Sequence, residues 1–123
     1  MATSMQRLEK KCLDTPDETR TFPNGKLEVV RIDNVTVGRA TFEPGWQWSK
    51  DVKPIAGTAS CQAAHTGYQI SGRMMIKMDD GTELEIGPGD AFVIPPGHDG
   101  WVIGNEPVVS VDFTGMSEYA KPR

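Results

Sequence analysis

Hydrophobic positions recur at helical spacing in one short stretch and at every second residue from about position 25 onward. Residues 3–13 carry the helical pattern. Met5, Leu8 and Cys12 share a face, and Thr3 with Gln6 resembles a capping box, so a short N-terminal helix is expected. Residues 14–24 (DTPDETRTFPN) are polar and broken by Pro16 and Pro23, which reads as an extended lead-in. KLEVVRI (26–32) and VTVGRATF (35–42) are strand-like around an Asp33-Asn34 turn. The apolar parity of the second changes across Gly38, which predicts a bulge there. Residues 43–60 fit neither period and form a long loop, the kind of segment that carries function in a small domain.

Further strands are expected over 61–72, 73–78, 82–86, 91–95, 101–103 and 108–113. Asp80-Gly81 marks a hairpin turn, and GPGD (87–90) and Gly104-Asn105 mark further turns. Leu84 and Ile86 share a face, and Met74, Met75 and Met78 read as core filler. The last ten residues look peripheral. Eight or more short strands at turn-separated intervals mean an all-β sandwich or barrel.

Composition narrows this. The chain has 13 glycines and 9 prolines in 123 residues, above the average share of about 12%, and they are spread through the turns. One domain is expected at this length. Net charge is −4 with both signs mixed, so nucleic acid is not an expected partner. Cys12 and Cys61 make no disulfide framework, and neither the opening residues nor any apolar run suggests a secretory leader or a membrane span. A cytoplasmic location with reduced thiols is the expectation. Nucleophile-elbow and phosphate-loop patterns are absent from the sequence.

The run GPGDAFVIPPGHDGWVIGNEP (87–107) places Gly89, Pro95 and Gly97 at a distinctive spacing, and Gly72 closes an upstream run beginning at His65. In these residues the chain resembles the two sequence motifs of the cupin family, over roughly 25–114. The resemblance implies a double-stranded β-helix, or jelly-roll, barrel over 25–114, with the helix and lead-in at 1–24 and a tail at 115–123. It also implies a small-molecule site inside the open end, and a homodimer.

The family's usual metal set is three histidines and one glutamate. Aligned on Gly72, the resemblance puts His65 at the glutamate position, Cys61 at the second histidine and Ala59 at the first. Gly100 falls at the histidine of the second motif, two residues after His98. The remaining candidates are Cys61, His65 and His98, which strand parity would turn inward together. One thiolate and two imidazoles suit Zn²⁺ best and Fe²⁺ or Cu²⁺ next, with one position left open. Tyr68 and Asp99 are candidate catalytic groups, a hydroxyl and a base. Each has a plainer reading: Cys61 as a small buried hydrophobe, His65 as a hydrogen-bonded core imidazole, His98 and Asp99 as turn residues. Trp46 and Trp48 would cap the barrel mouth or seal the core, and Lys50 and Lys53 would meet an anionic substrate or simply be solvated. The leading expectation is a barrel that binds a small polar molecule and acts on it through Lewis-acid or oxygen chemistry. The alternative is a non-catalytic metabolite-binding, storage or sensing protein without a metal.

Overall fold

A computed structural model describes residues 7–117 and 119–121. Nine strands follow in order: β1 (Glu18–Phe22), β2 (Gly25–Ile32), β3 (Val35–Phe42), β4 (His65–Ser71), β5 (Arg73–Met78), β6 (Glu83–Ile86), β7 (Ala91–Ile94), β8 (His98–Ile103) and β9 (Val108–Asp112). Two single-turn helices, α1 (Trp48–Asp51) and α2 (Lys53–Ala56), interrupt the long β3–β4 loop. The strands make a six-stranded sheet in the order β1-β2-β3-β9-β4-β7 and a three-stranded sheet β6-β5-β8, all antiparallel.

Alternation explains the core. Leu27 and Val29 of β2, Ala40 and Phe42 of β3, Met74 and Ile76 of β5, and Ile94 of β7 are buried between the sheets. Their sequence neighbours mostly face outward, as a strand's two-residue period requires. β4 and β9 follow the same rhythm but place polar groups inside: His65 and Gln69 on one, Ser110 and Asp112 on the other. Burying polar side chains is costly unless they are partnered, so this inward stripe is where the barrel interior departs from an apolar core.

Several sequence expectations change. The part of the expected helix within the described residues, 7–13, is not helical, and Leu8 is fully exposed. It has no face to pack on, and short helices draw most of their stability from such packing. Thr3, Met5 and Gln6 lie outside the described residues. The stretch read as lead-in is extended and contributes β1 to the sheet. Gly38 causes no bulge: β2 and β3 pair without interruption from Gly25↔Phe42 to Ile32↔Val35. Its missing side chain serves the tail instead, because a Cβ there would lie 2.6 Å from Met116. The register shift falls between β4 and β9, at Gln69/Ser71. Leu84 is exposed on edge strand β6 while Ile86 is buried.

The tail is not peripheral. Met116 and Tyr119 are both buried in the core. Arg20 of β1 holds them there, donating to the carbonyls of Met116 (2.9 Å), Tyr119 (2.6 Å) and Ser117 (2.9 Å). Glu18 braces the guanidinium from the other side at 2.7 and 3.1 Å. Its carboxyl sits at about 2, below the usual range, because Arg20 and Arg31 hydrogen-bond to the charged form. Among the described residues, no helix is long and apolar enough to cross a membrane.

Candidate metal centre

Three elements deliver the site. Cys61 lies just before β4 and bridges to His98 at the start of β8, with its N–H donating to the His98 carbonyl at 2.7 Å. The Gly97 N–H returns to the Cys61 carbonyl at 2.7 Å, so thiol and imidazole are fixed together through the backbone. His65 opens β4, four residues after Cys61. The ligand atoms of Cys61, His65 and His98 all lie within 4.8 Å of one another, and all three residues are buried. Cys61 Sγ is 3.9 Å from His65 Nε2. The two imidazole rings meet edge to face, with centroids 5.4 Å apart.

Both histidines are oriented by a second partner. His65 Nδ1 is 2.5 Å from Asp112 Oδ2. The other oxygen, Asp112 Oδ1, accepts from the N–H groups of Thr114 (2.8 Å) and Gly115 (2.7 Å). His98 Nδ1 donates to the Pro95 carbonyl at 2.9 Å. In each ring the bonded Nδ1 leaves Nε2 for another role, the arrangement found behind metal-ligating histidines. Gly115 is a requirement of this packing, since a Cβ there would stand 2.4 Å from His65 Nδ1.

The electrostatics follow from burial and these contacts. Burial alone would push the Cys61 thiol up; hydrogen bonds from His65 and His98 and the nearby imidazole charge outweigh it and hold it at about 6. Burial alone would lower His65; its bonds to Asp112 and Cys61 reverse this and raise it to about 9. Without a metal the two therefore pair as thiolate and imidazolium. Tyr119, with its ring centroid 5.6 Å from His65, is pushed well above the ordinary phenol value. Burial is the first cause, and the negative charges of Cys61, Asp112 and Asp99 add to it, so its hydroxyl keeps its proton.

Two spaces meet at the site. An inner cavity of about 40 Å³ is lined by Trp46, His65, Gln69, His98, Ser110 and Asp112 among apolar side chains. An outer cleft of about 440 Å³ reaches Cys61 past Val52, Gln62 and Lys121. Trp48 and Tyr119 line both, and so form the wall between them.

The sequence candidates divide accordingly. Cys61, His65 and His98 converge. Tyr68 does not join them: it has the opposite parity to His65 on β4 and is 46% exposed on the outer face. Asp99 also points away from His98 along β8 and accepts from Gln47 Nε2 (3.1 Å), the Ser49 N–H (3.0 Å) and the Gly100 N–H (2.9 Å). It ties the helical loop to the strand. Lys50 donates to the Gly45 carbonyl at 2.8 Å, and Lys53 is solvated. Trp46 and Trp48 are both buried. Sequence reasoning missed Asp112, Arg20 and Tyr119. Asp112 carried a legible signal, an acid at the inward parity of the apolar strand VVSVD.

No family model and no curated protein matches this sequence. Solved structures do match its shape. An uncharacterised protein with a double-stranded β-helix domain from Klebsiella pneumoniae is 19% identical, with 97% of this chain and 92% of that one aligned at a TM-score of 0.56. A cupin-like protein from Thermotoga maritima is 18% identical over 82% of this chain and 75% of that one, with a TM-score of 0.54. An oxalate decarboxylase from Lactobacillus farciminis, solved as a formate complex, is 16% identical at a TM-score of 0.59; the match covers 83% of this chain but only 32% of the decarboxylase. The nine antiparallel strands of the described residues, closing on an inward polar stripe, and the likeness to these neighbours establish that the chain has a double-stranded β-helix fold.

Proposed function

We propose that the protein is a metal-dependent cupin in which Cys61, His65 and His98 hold one transition-metal ion beside a small polar substrate. The carrying observation is the convergence of three buried donors whose two imidazoles are each anchored at Nδ1. The donor set fits the ion. A tetrahedral Zn²⁺ places its ligand atoms about 3.4 Å apart, so the 3.9 Å thiol–imidazole pair needs little movement and a pair as wide as 4.8 Å must close by about 1.4 Å. Thiolate with imidazole favours Zn²⁺ first and Fe²⁺ next. Three protein ligands leave a coordination position open to substrate or water.

When bound, the ion supplies a Lewis acid, or an oxygen-activating centre if it is iron. The chain's own residues do the rest. Asp112 fixes the orientation of His65 and makes it a better donor. Trp48 and Tyr119 stand between the outer cleft and the inner cavity. Tyr119 holds a proton against the site's negative charge.

Elemental analysis of untagged protein tests this. One zinc or iron per chain is expected, with loss in Cys61→Ser, His65→Ala and His98→Ala. Metal well below one per chain, unchanged by all three substitutions, overturns the reading. It would leave a metal-free metabolite-binding barrel, which the charge-balanced Cys61–His65 pair would support.

A further inference from the structure

The tail meets His65 at two points. At Gly115 its backbone packs so closely on the start of β4 that a Cβ would collide with both the Ala64 carbonyl oxygen and His65 Nδ1. At Tyr119 its aromatic ring stands edge-on to the imidazole, with centroids 5.6 Å apart. The carbonyls that Arg20 grips, on Met116, Ser117 and Tyr119, belong to the stretch that joins these two contacts. Arg20 gives its other hydrogen bonds to Glu18 and none to Cys61, His65 or His98. Any effect it has on the three donors must therefore pass through the tail.

A second connection runs through Asp112, which is 1% exposed. One carboxylate oxygen meets His65 Nδ1 at 2.5 Å. The other accepts from the Thr114 and Gly115 N–H groups at 2.8 and 2.7 Å. The first amides of the tail thus fix the rotation of the carboxylate, and the carboxylate fixes the ring. The neighbours of His65 are tied to the same segment. Thr114 Oγ1 donates to the Ala64 carbonyl at 3.3 Å, and the Phe113 N–H donates to the Thr66 carbonyl at 2.9 Å. Undocking the tail loosens these contacts together and leaves Asp112 without the amides that aim it. A ligand whose orientation is fixed beforehand loses less freedom when it binds, so a docked tail favours the ion.

We propose that the C-terminal tail is part of the metal centre and that Arg20 is its positioning residue, holding His65 in the orientation that binds the ion by holding the tail down. The proposal goes beyond the metal reading and rests on it. Such a coupling is reciprocal: a docked tail strengthens metal binding by the same factor by which bound metal strengthens docking.

The test measures zinc affinity by chelator competition in full-length wild type, Arg20→Ala and Val30→Ala. Val30 is buried on β2 and belongs neither to the tail contacts nor to the site, so its truncation controls for a general loss of stability. Arg20→Ala should bind zinc about tenfold more weakly, the lower end of what removing a group behind a metal-bound histidine does. Val30→Ala should lower Tm and keep the wild-type affinity. Wild-type affinity in Arg20→Ala, or an equal loss in Val30→Ala, overturns the assignment. If Arg20→Ala does not fold, hydrogen exchange of the wild type read by NMR decides. Zinc should slow the Thr114 and Gly115 amides about tenfold or more, and unchanged exchange of both overturns the coupling. Zinc bound at one per chain with neither effect defeats this inference alone, whereas no zinc bound by the wild type defeats the metal reading as well.

Discussion

Replacing Arg20 with alanine should open the site without unfolding the barrel. Its guanidinium donates to three tail carbonyls, all within 2.9 Å. At only about 1 kcal/mol net per bond, losing them shifts the tail's opening equilibrium by about 3 kcal/mol, roughly 150-fold. A tail that stayed docked would keep three buried carbonyls without donors, a heavier penalty, so peeling away is the cheaper response. The variant's tail should therefore spend a larger share of its time detached. Glu18 keeps Arg31 as a partner, so β1 stays in place. Hydrogen exchange read by mass spectrometry should show faster exchange across residues 114–121 with the strands unchanged. In a Cys12→Ser background, alkylation of Cys61 should accelerate in step, because Gly115 and Tyr119, which line the cleft around it, move away with the tail. Unchanged tail exchange combined with a fall in Tm of 15 °C or more, worth about 3–5 kcal/mol in a domain of this size, would show that Arg20 stabilises the barrel and not the tail.

Asp112→Asn preserves shape but removes the charge behind His65; metal affinity should fall about 10- to 100-fold with little change in Tm, measured by competition with a chelating dye. In metal-free Cys12→Ser protein, the alkylation rate of Cys61 should titrate near 6 instead of in the ordinary thiol range, and His65→Ala should move the midpoint up. Stability of the metal-free protein should respond to both groups. His65 titrates at about 9 when folded, above its unfolded value of about 6.5, so its contribution is complete below that value and is lost as pH rises through 9. Cys61 runs the opposite way, its contribution present above the unfolded value of about 8.5 and lost as pH falls through 6. Urea melts should therefore be most stable between these limits, and a minimum there contradicts the ion pair. Tyr68, Ile70, Val93 and Phe113 crowd the outer face of β4, β7 and the end of β9. Light scattering should give about twice the 13.5 kDa chain mass, and Val93→Lys with Tyr68→Glu should return the monomer; a wild-type monomer would refute this.

The architecture was legible because it rests on period and punctuation. Two-residue alternation located the central strands, and Gly72, Gly89, Pro95 and Gly97 set the turns between them. The three ligand candidates were legible because the chain holds only two histidines. What escaped depends on long-range placement. Arg20 meets carbonyls nearly a hundred residues away, and nothing local announces such a contact. Gly38 resembled a bulge because a glycine that bends a strand and one that admits a neighbour look alike in sequence; only Met116 tells them apart. Tyr68 and Asp99 were attractive for their chemistry, but strand parity sends both away from the imidazoles.

The clamp on the tail also says what inheritance can change. Arg20 recognises backbone oxygens, which every amino acid carries, so the side chain at Ser117 is free to drift without loosening the grip. Met116 and Tyr119 have no such freedom, because each fills a space shaped by Gly38 or by the His65 ring. A lineage could thus remodel the rim of the outer cleft one surface residue at a time, while the tail's attachment and the buried donors behind it stay untouched.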